Sequence, residues 1–213
     1  MNDWISQNWL EIFGALTGVI YVFLEIRQNL WQWPVGIVTS AVYIWVFLTG
    51  KLYADMTLQG YYLVISFAGL YWWIRGKGDV KPVKEGEDSL LSEKQNTDNS
   101  GGTLKVTRLT MKTGLVLAAV LIVLFIAIWM ILDRITDSPV PVCDSFITSV
   151  SIVATWMLAR KILEHWYLWI IVNAAAVALF ITRGLYPTAV LYMVYCIMSF
   201  AGLKTWTSSM KHE

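Results

Sequence analysis

The sequence has few of the residues from which most soluble active sites are built. Its 213 residues include two cysteines, two histidines and five prolines, and only 15% are charged, against about 25% in an average soluble domain. Cys143 and Cys196 lie in different apolar segments, so a disulfide framework is excluded and two unpaired thiols are expected. His165 and His212 stand at no metal-ligand spacing to cysteines or carboxylates. There is no phosphate-cradling glycine loop and no P-loop, so nothing supports nucleotide-driven work within this chain. The net charge of +1 supplies no basic field for nucleic acid. These absences predict a protein that is not an enzyme, with no catalytic residues, no cofactor, no metal and no nucleic-acid partner.

Apolar and aromatic residues are abundant instead: 57% of the chain is hydrophobic, with 12 Trp, 10 Tyr and 8 Phe. The 31 charged residues are also unevenly placed, since 14 of them fall within 75–113 and leave 17 for the other 174 positions. That is too little polar surface for a soluble globule or a disordered chain. Seven stretches approach the roughly 20 apolar residues needed to cross a bilayer, near 9–26, 30–49, 56–74, 114–132, 142–159, 164–182 and 187–206. The fold class expected is all-α integral membrane, with the lipid bilayer as partner. No basic leader with a cleavage site precedes the first apolar run, so residue 1 onward reads as mature protein.

Loop charge predicts an orientation. Loops on the side of the N-terminus hold three basic residues (Lys51, Arg134, Arg183), and the opposite side holds 13. The positive-inside rule then places the N-terminus outside and the C-terminus inside. Most of this bias comes from the polar segment 76–113, whose Lys, Glu, Gly, Ser and Asn composition predicts a flexible cytoplasmic linker.

An ungapped self-match runs at an offset of 133 residues. SFAGL (66–70) recurs at 199–203, and Arg27, Trp33, Tyr62 and Trp73 match Arg160, Trp166, Tyr195 and Trp206. Between residues 25 and 73 there are 17 identities at this one offset. A first repeat over 1–75 and a second over 136–213 are therefore expected, separated by the linker and by a greasy fourth helix at 114–135. Four crossings precede the second unit, so it enters from the same side as the first. This predicts a parallel 3+1+3 repeat, a plan used by transporters.

Several helix faces carry the candidate chemistry. Trp166, Trp169 and Asn173 fall at i, i+3 and i+7, on one face of a helix. The offset sets Trp33, Gly36 and Ser40 at the corresponding places. Gln59, Tyr62, Ser66, Gly69 and Trp73 share another face, repeated by Tyr192, Tyr195, Ser199, Gly202 and Trp206. A side-chain amide facing lipid would go unsatisfied, so Asn173 and Gln59 are expected to face a cavity. Aromatic faces suit flat rings, and cationic rings better still. The expected substrate-binding set is Trp166, Trp169, Asn173, Gln59, Tyr62, Trp33, Ser40, Tyr192 and Tyr195, for a small, hydrogen-bonding aromatic solute. Plainer roles are expected elsewhere. Trp4, Trp9, Trp31 and Trp73 read as an interfacial belt, the two SFAGL stretches as helix packing, and Glu11, Glu25, Asp55 and Glu164 as solvated helix ends.

The stretch EHWYLWIIVN carries a WxxWxxxN pattern (Trp166, Trp169, Asn173), and with YVFLEIRQNLWQWPVGIVTSAVYIWVFLTGKLYADMTLQGYY it resembles the PnuC family of bacterial vitamin transporters. The resemblance spans nearly the whole chain outside the linker. It implies a SWEET-like architecture, a homotrimer in the cytoplasmic (inner) membrane, and facilitated diffusion of an unphosphorylated vitamin that cytosolic kinases then trap by phosphorylation. Branches of the family carry nicotinamide riboside, thiamine or riboflavin. LEIFGALTGVIYVFLEI and the YAD at 53–55 look more like the thiamine branch than the nicotinamide riboside one.

Overall fold

The computed structural model describes residues 2–49, 53–75, 104–135 and 140–212, with side chains described for 12–49, 56–75, 104–134 and 140–211. Seven helices account for nearly all of it: α1 (Asn2–Ile26), α2 (Gln32–Thr49), α3 (Tyr53–Arg75), α4 (Met111–Ile135), α5 (Pro141–Ala159), α6 (His165–Thr182) and α7 (Tyr186–His212). Pro141 opens α5 at a position where a missing N–H costs no helical bond. Gly184, at φ +71°, closes the end of α6 in the left-handed conformation that glycine adopts without strain.

Among the described residues, five helices, α2 and α4 to α7, are long and apolar enough to cross a membrane. Apolar runs in the sequence predict seven such spans. In α1 the described side chains begin at Ile12, and the apolar stretch within that part is Ile12–Ile26, while α3 is diluted by Gln59, Arg75 and four tyrosines. Two of those tyrosines, Tyr61 and Tyr62, are partly buried against the core, so much of the polarity of α3 faces inward rather than toward lipid.

The helices close a ring. Neighbours run α1–α2–α3–α5–α6–α7 and back to α1, while α4 packs only on α5 among the described residues. Lipid-facing apolar surface is what a peripheral helix needs, and α4 shows it: Leu115, Val116, Ile122 and Val123 are all exposed. The buried core gathers at the ends of α3 and α7 and the starts of α2 and α6, around Trp33, Trp73, Trp166 and Trp206.

Contacts recur at the 133-residue offset. Trp33 meets Trp73 edge-on at 5.5 Å and Trp166 meets Trp206 edge-on at 5.8 Å. A Cβ placed on Gly69 would run into the Trp33 ring, and one on Gly202 into Trp166. Glycine is required at both places by close approach. Gln28 (φ 51°) and Lys161 (φ 50°), also 133 apart, take the same left-handed backbone in the α1–α2 and α5–α6 turns. That conformation is costly for residues with a Cβ, and their side chains are bonded: Lys161 Nζ donates to Gln28 Oε1 at 3.2 Å, and Gln28 Nε2 to Ser209 Oγ at 3.0 Å.

Three expectations are corrected here. Trp73 is no belt residue, being 1% exposed and held between Trp33 and Trp206, whereas Trp31 is 68% exposed as a belt residue would be. Glu25 is not solvated but 2% exposed. The last part of the expected linker is ordered: residues 104–110 run along the α5–α6 turn, with Thr107 N–H donating to the Lys161 carbonyl and Leu163 N–H to the Thr107 carbonyl, both at 2.9 Å. Val106 supplies the buried side chain that anchors them. Glu164 is only partly solvated, its Oε2 accepting from Leu109 N–H at 2.8 Å. Cys143 and Cys196 are free thiols, as expected. Trp4, Trp9, Glu11, Asp55 and His212 lie outside the described side chains, and most of the linker lies outside the described residues.

Candidate functional site

The ring of helices encloses a cavity of about 320 Å³. Its walls carry Trp166, Trp169, Val172 and Asn173 from α6, Gln59, Tyr62 and Ser66 from α3, Gly36, Thr39, Ser40 and Tyr43 from α2, and Tyr192, Tyr195 and Ser199 from α7. α5 adds Ile147, Ser151 and Thr155, and α1 adds Gly14, Thr17, Gly18, Tyr21, Val22 and Glu25.

Eight of the nine residues expected to bind substrate line this one space. The exception is Trp33, whose fully buried ring packs on Gly69 and Trp73 instead. Trp166, its counterpart in the repeat, packs the same way on Gly202 and Trp206, and it also borders the cavity. Asn173 is 4% exposed and donates from Nδ2 to Ser199 Oγ at 3.2 Å, while Ser199 donates onward to the Tyr195 carbonyl at 2.8 Å. That chain of bonds fixes the amide plane. Asn173 Oδ1 takes no hydrogen bond from another side chain among the described residues, which leaves an acceptor for a ligand.

The indole N–H groups of Trp166 and Trp169 are likewise buried without a partner among the described residues. Those of Trp33 and Trp73, away from the cavity, share that state, so a missing partner is not by itself a mark of the cavity. Tyr192 and Tyr195 meet edge-on at 5.7 Å. The two SFAGL stretches serve twice: Gly69 and Gly202 admit the packed indoles, and Ser66 and Ser199 reach the cavity wall.

The sequence reading leaves out the α1 face, although its signal is present. Gly14, Thr17, Gly18, Tyr21 and Glu25 recur at helical spacing on one side. The small residues make room for hydroxyls, since a Cβ on Gly14 would strike Tyr43 and one on Gly18 would strike Tyr195. Glu25 Oε1 lies 3.1 Å from His165 Nε2, and His165 Nδ1 lies 2.7 Å from the Ile162 carbonyl. A carbonyl only accepts, so Nδ1 carries a proton, and a single proton bridges the carboxyl and Nε2. The Trp206 indole donates to the Glu25 carbonyl at 3.1 Å and holds the end of α1 in place. Among the described residues, Glu25 is the only carboxylate on the cavity wall, and no lysine or arginine joins it there.

The family model for the nicotinamide mononucleotide transporter matches residues 8–208. This chain belongs to that family. Among characterised family members, the nicotinamide riboside transporter PnuC of Escherichia coli is 24% identical over 210 residues, covering 97% of this chain and 88% of its own. The riboflavin/roseoflavin transporter RibM of Streptomyces davaonensis is 25% identical over 198 residues, covering 93% and 84%. The fold is similar to the crystal structure of the vitamin B3 transporter PnuC, with a TM-score of 0.69 and 24% identity over 96% of this chain and 83% of that one. This chain is thus a membrane transporter and not an enzyme.

Proposed function

We infer that the chain carries an unphosphorylated, cationic aromatic vitamin, thiamine or nicotinamide riboside, into the bacterial cytoplasm by facilitated diffusion. The carrying observation is the cavity wall: tryptophan and tyrosine faces, the Asn173 and Gln59 amides, hydroxyls, one carboxylate and, among the described residues, no basic side chain. Rings bearing positive charge are attracted to aromatic faces, and their hydroxyl or amino groups find amides and hydroxyls. A phosphate ester would bring about 1.5–2 negative charges into a cavity without a cation to receive them. Nucleotide sites and carboxylate pairs for ion coupling are absent from the described wall, which supports diffusion down a gradient, with phosphorylation in the cytosol retaining the product.

Two three-helix units related by an axis along the membrane normal, with the N-terminus outside and the C-terminus inside, complete this reading. The recurrence of the Trp–Gly contacts and left-handed turns at one offset supports it. Riboflavin is the second reading, because RibM, one of the relatives, is a riboflavin/roseoflavin transporter.

Calorimetry on the purified protein tests the proposal with thiamine, nicotinamide riboside, riboflavin and the phosphate ester of each. The free cationic vitamin is expected to bind at least 100-fold more tightly than its ester, a difference of about 2.7 kcal/mol. Equal affinity for ester and free vitamin would overturn it, because a basic group would then have to reach the ligand.

A further inference from the structure

A second cavity, of about 720 Å³, opens at the end of the bundle where α3 stops and α4 begins, away from the transport site. Three arginines line it, from three separate segments: Arg75 at the end of α3, Arg108 in the extended run before α4, and Arg160 after α5. Trp72 and Trp156 form aromatic wall beside them. Among the described residues no acidic side chain lines the cavity, and none of the three guanidiniums pairs with a carboxylate. Arg75 is bonded to the Tyr71 hydroxyl at 2.8 Å and Arg160 lies over the Trp72 ring at 5.1 Å, so both are held toward the pocket by neutral groups. Glu164, four residues after Arg160, is engaged with the Leu109 N–H.

Three like charges gathered around one space repel one another, and a fold that keeps them there gains when an anion joins them. The surroundings indicate which anion. Apolar surface of α4 begins at the cavity's edge, with Met111, Leu115 and Val116 exposed, so a ligand whose phosphate meets the arginines has a place for acyl chains. Basic pockets between helices at a membrane boundary bind the head groups of anionic lipids. We propose that Arg75, Arg108 and Arg160 hold the phosphate of an anionic glycerophospholipid, which ties the ordered end of the linker and the peripheral helix α4 to the six-helix ring.

The full chain, purified in detergent and stripped of lipid, is titrated with phosphatidylglycerol, phosphatidylcholine or inorganic phosphate while its Tm and lipid adducts in native mass spectrometry are followed. Phosphatidylglycerol at ten times its Kd is expected to raise Tm by roughly 3–6 °C, with phosphatidylcholine and millimolar inorganic phosphate leaving it unchanged. Arg108→Gln is expected to weaken the adduct about fivefold and the triple variant R75Q/R108Q/R160Q about 100-fold, from the contribution of each basic residue near an anionic surface. Arg108 has no bonding partner among the described residues, so the single variant keeps its fold if the triple one does not. The proposal is overturned if phosphatidylcholine binds as tightly as phosphatidylglycerol, if Arg108→Gln leaves the adduct unchanged, or if inorganic phosphate alone displaces the lipid at micromolar concentration.

Discussion

Asn173→Leu separates binding from folding at this site, because the structure gives the amide two distinct jobs. Its Nδ2 donates to Ser199 Oγ at 3.2 Å, and Ser199 in turn donates to the Tyr195 carbonyl at 2.8 Å. Removing the amide leaves the Ser199 hydroxyl still donating to that carbonyl, so no buried donor is orphaned. The net loss to folding is one hydrogen bond, about 0.5–1.5 kcal/mol, which the added apolar surface of leucine partly offsets. Binding fares differently. A ligand donor that loses the Asn173 acceptor stays unpaired against a buried stretch of wall, where Asn173 is 4% exposed, at a cost of about 1–3 kcal/mol, or roughly 10- to 100-fold in affinity. Titration of the vitamin by calorimetry, with quenching of Trp166 and Trp169 fluorescence as a second readout, measures the change, and a thermal melt checks the fold. A variant that melts like the wild type and binds within twofold of it would show that the Asn173 oxygen does not meet the substrate.

The Glu25→Gln variant tests the charge of the ligand. A cation centred about 6 Å from an ionised Glu25 and about 9 Å from its charged partner ring gains roughly 1 kcal/mol at an effective dielectric of about 20. Its affinity should therefore fall about fivefold in the variant, while uncharged riboflavin changes less than twofold; equal losses for both would mean that Glu25 acts through packing alone. Gly202→Ala forces a methyl into the Trp166 ring and is expected to cost about 1–3 kcal/mol, lowering Tm by several degrees. Gly60→Ala is the control, because a Cβ there meets nothing within 4 Å, and identical melting of the two variants would refute the close approach.

Much of the site is legible in the amino-acid sequence because membrane helices obey a simple rule. Polar groups that face lipid are costly, so Asn173, Gln59, Ser40 and the paired tyrosines of α7 have to turn inward, and all of them border the cavity. The same rule marks α4 as peripheral, since it alone lacks a polar face, and α4 packs only on α5 among the described residues. The 133-residue offset likewise identifies the residues that form matching contacts. Sequence reasoning alone does not decide between two uses of one residue type. A tryptophan near a helix end suits the lipid interface, a ligand or another helix equally well, and only the approach of a neighbouring backbone separates these. Trp31 stays exposed, whereas Trp33 and Trp73 are enclosed because Gly69 lets α2 and α3 come together. Glu25 depends on tertiary structure in the same way: a carboxylate at the end of α1 would reach water if α6 did not start beside it and offer His165, 140 residues further along the chain. Helical periodicity fixes which residues share a face. The partner that the face meets depends on how distant helices pack, and that placed the carboxylate on the cavity wall and Trp33 outside it.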